Sequence, residues 1–223
     1  MIAADVMNRA AALLNDIALT VYPYTVQIPY LNAAMDELQE TFEQNNIPAT
    51  NEVSAVLTVP VNTTVLTFVS SPALPADLIE PRTLWERTSG TSDDFNEMSK
   101  LELIPKSQVI TSNLGVWDWA DQEIHFIGAN TIRNVKIDYI KQIFAPVMAS
   151  TDVIALINSK SFLAYRTAGL CARYIGENET RADQLDGFAL LALDRVLGIN
   201  VKGGQAIYTR RRPFRSAYRS RYW

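Results

Sequence analysis

Few side chains in this sequence are equipped for covalent or metal chemistry. There is one histidine, His125, and one cysteine, Cys171, in 223 residues. A nucleophilic thiol or hydroxyl needs an activating base. The only imidazole sits in EIHFIG, where apolar and polar residues alternate as on a strand. Cys171 lies in LAYRTAGLCARYIG, where a small thiol packs well inside a helical core. One histidine and one cysteine cannot build the usual zinc clusters. No Walker-type phosphate loop, GxGxxG turn or HExxH helix is present. Ser70 and Ser71 precede Pro72 and lack the strand–turn–helix setting of a nucleophile elbow. Paired carboxylates remain, the minimum for glycoside hydrolysis: Asp93 and Asp94 in TSDDF, and Asp118 and Asp121 in VWDWADQ. Trp117 and Trp119 could line a sugar site there. Residues two apart share one strand face, however, so these indoles fit better against a sheet core or a neighbouring subunit, with Asp121 starting a turn. The chain is therefore expected not to be an enzyme, with no catalytic residues, no cofactor and no metal.

The strongest chemical signal is the ending, YTRRRPFRSAYRSRYW, with six arginines, five aromatics and no acid. The whole chain has 20 basic and 24 acidic residues and a net charge of −4. Six of the 20 bases lie in this ending, leaving 14 against 24, so the body is about −10 and the tail +6. Such asymmetry marks an interaction segment. Its candidate contact residues are Tyr208, Arg210, Arg211, Arg212, Phe214 and Arg215, then Tyr218, Arg219, Arg221, Tyr222 and Trp223. Lys202, Gly203 and Gly204 read as its hinge. The segment cannot bury enough surface to fold by itself. Three partners fit it. Arginines can neutralise phosphates while aromatics stack on bases. They can bind anionic lipid, or dock into a protein groove with Arg, Tyr and Trp as anchors. A merely solubilising tail would not need arginine without lysine, nor interleaved aromatics. An acidic body repels phosphates, which favours a protein partner and leaves nucleic-acid binding as the alternative.

These residues need elements to position them. Ile2, Val6, Ala10, Leu13 and Ile17 recur at helical spacing, ending before VYPY. A second helix is expected from Pro29, with Leu31, Met35, Leu38 and Phe42 on its apolar stripe and a stop in QNNIP. EVSAVLTVPVNTTVLTFVSS then predicts two strands joined by a turn at Pro60–Thr63. A strand is expected at Arg82–Arg87. Ile124 and Phe126 are expected to pair with Ile132, Val135, Ile137 and Tyr139 around Gly128–Asn130. Helical spacing returns after Pro146, with Asp152 as N-cap and Gly176 just past the end. Asn178 caps a last helix carrying Leu185, Phe188, Leu191 or Ala192, and Val196, with Gly198 as its stop.

The order of elements predicts an α+β chain. A four-helix bundle (residues 1–48 and 150–200) carries a small antiparallel β-sandwich or barrel (49–149) inserted between helices 2 and 3. An extended C-terminal arm follows (201–223). Hydrophobic residues make up 48% of the chain, enough for a sizeable core, but no apolar run is long enough to span a bilayer. MIAADVMNRAAALLND lacks the charged and apolar regions of a signal peptide, and no disulfide can form within the chain, so a reducing compartment is expected.

Several motifs in this order resemble the head-to-tail adaptor (connector) proteins of tailed bacteriophages, of the tail-tubular, portal-adaptor type. ALLNDIALTVYPYTVQIPYLNAAMDELQETFEQNNIP looks like the opening helix pair of that family. LPADLIEPRTLWER looks like its LP-x-D run into a strand ending in ER. VWDWADQEIHFIGANTIRNVKIDYI resembles its hairpin, and FLAYRTAGLCARYIGENETRADQLDGFALLALDRVL its closing helices. Each motif is degenerate; their order and spacing carry the likeness, over nearly the whole chain. The arginine-rich ending is less standard. The resemblance implies a structural protein of the virion neck, between capsid portal and tail, assembled in the host cytoplasm. It implies a homo-oligomeric ring of twelve subunits around a channel through which double-stranded DNA passes without sequence-specific binding. The partners implied are the portal protein, reached by the C-terminal arm, and a tail or nozzle protein, with no membrane.

Overall fold

The structure of the protein, a computed structural model, describes residues 1–102, 104 and 109–202, the last four by backbone alone. Helix α1 (Ala3–Leu13) buries Ala3, Val6, Met7, Ala10 and Ala11, the one-sided stripe that its spacing dictates. It ends sooner than the apolar spacing predicts, leaving Ile17 exposed. The reason is Asp16, whose carboxylate accepts the backbone N–H groups of Thr20, Val21 and Tyr22 at 2.7–3.0 Å and the Thr20 hydroxyl at 2.7 Å. An acidic side chain that collects local donors competes with helix propagation.

Helix α2 (Tyr24–Gln44) starts at Pro23, its N-cap, rather than at Pro29, which lies inside it. Pro29 removes the N–H that would bond the Thr25 carbonyl. Both residues are exposed, so solvent can serve that carbonyl. Leu31, Met35, Leu38 and Phe42 are all buried, and the helix stops at Gln44, followed by Asn46 at φ 48°.

The middle of the chain supplies β1 (Asn51–Val53), β2 (Leu57–Val59), β3 (Val65–Leu66), β4 (Leu78–Thr88), β5 (Asn96–Glu97), β6 (Ser99–Lys100), β7 (Val116–Ala120), β8 (Glu123–Phe126) and β9 (Arg133–Lys141). One sheet runs β1-β9-β4-β5, with β2 also on β9; the other runs β3-β8-β7-β6. All pairs are antiparallel except β6–β7. The two strands expected around Pro60–Thr63 form, and the turn closes with the Thr63 N–H donating to the Pro60 carbonyl at 3.4 Å, but the expected antiparallel pairing of β8 with β9 does not form. Across Pro60–Thr63 the chain leaves β2 in one sheet for β3 in the other, and between β8 and β9 it crosses back. The two sheets share one apolar core, to which Val59, Leu66, Phe126 and Val135 all contribute. Apolar alternation identifies a strand's buried face, but it does not name the strand's partner. The tight hairpin is β7–β8, turning on Asp121 and Gln122 at φ 54° and 63°, the positive-φ pair that a two-residue type I′ turn requires.

Helix α3 (Lys160–Tyr174) begins after Asp152, whose carboxylate instead accepts the N–H groups of Met148 and Ala149 at 2.7 and 2.9 Å. Gly176 does follow its end. Asn178 does cap α4 (Glu179–Lys202), accepting the Arg181 N–H at 2.9 Å. α4 runs straight through Gly198, where a stop was expected; a single glycine costs a helix only about 1 kcal/mol. Residues of all four helices meet in a second core that includes Met7, Leu38, Phe42, Leu163 and Val196.

Two amides of α2 tie the helices to the end of β9. Asn32 Oδ1 accepts the Val147 N–H at 2.9 Å while Nδ2 donates to the Val147 carbonyl at 3.0 Å. Gln39 Oε1 accepts the Ile143 N–H at 3.0 Å and Nε2 donates to the Lys141 carbonyl at 3.1 Å. Each amide stands in for a neighbouring strand, and Phe144 and Val147 between them insert into the helical core.

Candidate functional site

The catalytic candidates fall in different settings. Asp118 is buried in β7, in register with His125 on β8, whose Nε2 lies 3.8 Å from the Glu123 carboxylate. Asp121 sits in the exposed β7–β8 turn, and Asp93 and Asp94 in an exposed loop. Trp117 is buried and Trp119 packs on the same core, the placement that their spacing predicts. Cys171 is fully buried in α3, and that burial pushes its thiol up to about 12. Among the described residues no cluster of three or more His, Cys, Asp or Glu side chains could hold a metal ion.

The docking arm, Tyr208 to Trp223, lies outside the described residues, as do Gly203 and Gly204 of the hinge. Lys202 is the last residue of α4. The described surface nearest to the arm in sequence is that of α4.

The expected α4 stripe holds at Leu185, Ala192 and Val196 but not at Phe188 or Leu191, which belong to an exposed apolar surface. The buried stripe of α4 is Ala182, Leu185, Ala189, Ala192 and Val196, while Phe188, Leu190 and Leu191 are 51%, 63% and 58% exposed. The signal was the run FALLAL: six consecutive apolar residues exceed what one helical face can bury. Packing put the small residues Ala182, Ala189 and Ala192 inside, and α3 and α4 approach closely at Gly169, where a Cβ would stand 2.7 Å from Asp186 Oδ1.

The exposed ridge separates two grooves. On one side Arg9, Ser161, Tyr165, Phe188, Leu191 and Arg195 line a basic, aromatic groove. Arg9 Nη1 donates to Ser161 Oγ at 3.1 Å, with its guanidinium 5.5 Å from the Tyr165 ring centre. Tyr165 and Phe188 lie 5.7 Å apart. On the other side the lining includes Glu37, Glu40, Phe162, Arg166, Asp186, Leu190 and Leu193. Arg166 forms its charged floor: Nε and Nη2 donate to the two oxygens of Glu37 at 2.6 and 2.5 Å, and Nη1 donates to Asp186 at 2.7 Å. The Glu37 hydrogen bonds, above all, hold the guanidinium above its usual range. Asp186 also accepts from Arg173 at 2.9 Å. One arginine thus clamps α2, α3 and α4 together, leaving Glu40 facing the groove without a hydrogen-bonding or ionic partner among the described residues.

No family model matches the chain, and no curated protein matches it. None of the described helices is long and apolar enough to cross a membrane.

Proposed function

We propose that the protein is a structural, non-enzymatic component of a bacteriophage virion: a ring-forming adaptor in the neck that joins the portal to the tail and surrounds the DNA channel. In this reading the four helices form one bundle, with the β region inserted as a small sandwich. The common helical core and the separate core of the two sheets support that division. The observation that carries the reading is an acidic body whose last helix leads directly into an arm of arginines and aromatics. The order of motifs resembling adaptor proteins supports it further.

The mechanism is assembly. Neighbouring subunits pack laterally through their helical faces, and the ridge of Phe188, Leu190 and Leu191 supplies apolar area for such contacts. The arm docks onto the portal, its aromatics anchoring and its arginines meeting carboxylates. Ordering the arm costs conformational entropy, but repeating a weak contact around a ring multiplies it into strong avidity. The acidic body lets double-stranded DNA slide past without sticking. A tail or nozzle protein closes the assembly on the opposite side.

Deletion of residues 205–223 tests this. The truncated protein is expected to fold and stay soluble but not to co-sediment with portal rings, and electron microscopy should show rings only with portal and intact arm. Wild-type-like co-sedimentation after truncation would sink the proposal. The competing reading, a nucleic-acid-binding arm, rests on the tail's six arginines. It predicts arm-dependent DNA retention on filters, falling steeply with salt.

A further inference from the structure

We infer that copies of this chain associate head to tail, the acidic face of α2 in one copy lying in the basic, aromatic groove between α1, α3 and α4 of the next. Charge is divided by helix. α2 carries Asp36, Glu37, Glu40 and Glu43 and no base, whereas α3 carries Lys160, Arg166 and Arg173 and no acid. Along α2, Ala33, Asp36, Glu40 and Gln44 form one exposed stripe. Asp36 and Glu40 stand one turn apart, a like-charge spacing that destabilises a helix unless something neutralises it. Neither has a hydrogen-bonding or ionic partner among the described residues. The groove has the opposite character. Arg9 and Arg195 stand in its lining beside the exposed apolar surface of Phe188 and Leu191. Arg195 is exposed and, among the described residues, has no partner of its own.

The two surfaces are placed so that the contact can repeat. α3 packs against α1, α2 and α4. The basic groove opens where α1 and α4 meet over α3, and the acidic face where α2 and α4 do, on the other side of the ridge. A copy docked by its acidic face therefore keeps its own basic groove open for another. Like faces repel and unlike faces attract. Charge thus selects a contact between two different patches, the type that propagates into a ring or an open chain. A helix seated in a groove is a recurring mode of recognition, and Phe188 and Leu191 give it apolar area to cover. The inference names the contact between neighbours in the adaptor reading; it rests on that reading for closure into a ring, but not for the pairing of the faces.

Cross-linking of the full-length protein tests the pairing without portal or DNA. Gln44→Cys marks the acidic face and Leu191→Cys the basic groove, both at exposed positions. The native Cys171 is fully buried and does not compete. The variants are treated with a flexible bismaleimide at high protein concentration, and linked dimers are read on denaturing gels. A mixture of the two should give about tenfold more dimer than either variant by itself. Glu40→Lys added to the first variant should cut that yield about tenfold, as should Arg195→Glu added to the second. Mixing the two charge-reversed chains should restore it. The yield should fall at about 1 M salt, where charges act over about 3 Å instead of about 10 Å at 0.1 M. Sedimentation velocity of the unmodified chain at the same concentration should show species larger than a dimer. Equal yields in mixed and separate samples, no rescue between the reversed chains, or nothing larger than a dimer would overturn the inference. Co-sedimentation with portal, which tests the adaptor reading, is scored separately and is untouched by that outcome. Unchanged circular dichroism shows that the variants fold.

Discussion

Breaking the buried ion pair between Glu86 on β4 and Arg133 on β9 should unfold the β region more readily than any surface change. Both side chains are only 6% exposed, and Arg133 Nε donates to Glu86 Oε2 at 2.8 Å. The carboxylate also accepts the backbone N–H groups of Leu114 at 3.0 Å and Gly115 at 2.8 Å, and Arg133 Nη1 donates to Thr88 Oγ1 at 2.8 Å. This cluster pins the segment before β7 to the other sheet. Removing one member of a buried pair leaves an uncompensated charge and costs about 3–5 kcal/mol. Arg133→Met should fall at the lower end, because Glu86 keeps two backbone donors. Glu86→Leu should reach the upper end, because it strands both the guanidinium and two buried N–H groups. The double variant should cost less than the sum of the two, with a coupling of about 1–3 kcal/mol. Urea unfolding followed by tryptophan fluorescence reads this directly, since Trp85, Trp117 and Trp119 all lie in the β region. A cost below about 1 kcal/mol for Arg133→Met, or strict additivity, would refute the reasoning.

Acid should act through Asp16. Its carboxyl is held down at about 2, first by the Tyr22 N–H; a depressed folded-state value means stabilisation that is complete above the ordinary carboxylate range and lost as pH falls towards 2. Asp16→Asn should flatten the stability profile over that window, as measured by urea midpoints at stepped pH. Glycine substitutions should divide by surroundings. Gly187→Ala in α4 meets open space and should stabilise by about 0.5–1 kcal/mol, whereas Gly169→Ala forces Asp186 from its two arginines and should cost about 1–3 kcal/mol. A thermal melt shifted down for Gly187→Ala, or up for Gly169→Ala, would contradict that assignment.

The α+β class, the α2 stripe of Leu31, Met35, Leu38 and Phe42, and the Asn178 cap were legible because they depend on local periodicity and local hydrogen bonds. The end of α1 was not. Asp16 closes a loop through donors four to six residues ahead, a contact that apolar spacing does not encode. Of the candidate site, the sequence singled out the arm and its charge. The grooves beside α4 were hidden, because Glu37, Arg166 and Asp186 are far apart in the chain and meet only when three helices pack.

By itself the sequence determined the segregation of charge, a body of about −10 against an ending of +6, and the order of helical and extended segments, since each follows from residue types read a few positions at a time. Tertiary structure alone decided which strands pair and which apolar residues of α4 are covered. The run from Phe188 to Leu193 offers more apolar surface than one contact can bury. Packing gave the interior to Ala182, which clusters with Ala168 and Ala172 of α3, and to Ala189 and Ala192 in the common helical core, and left Phe188, Leu190 and Leu191 facing outward.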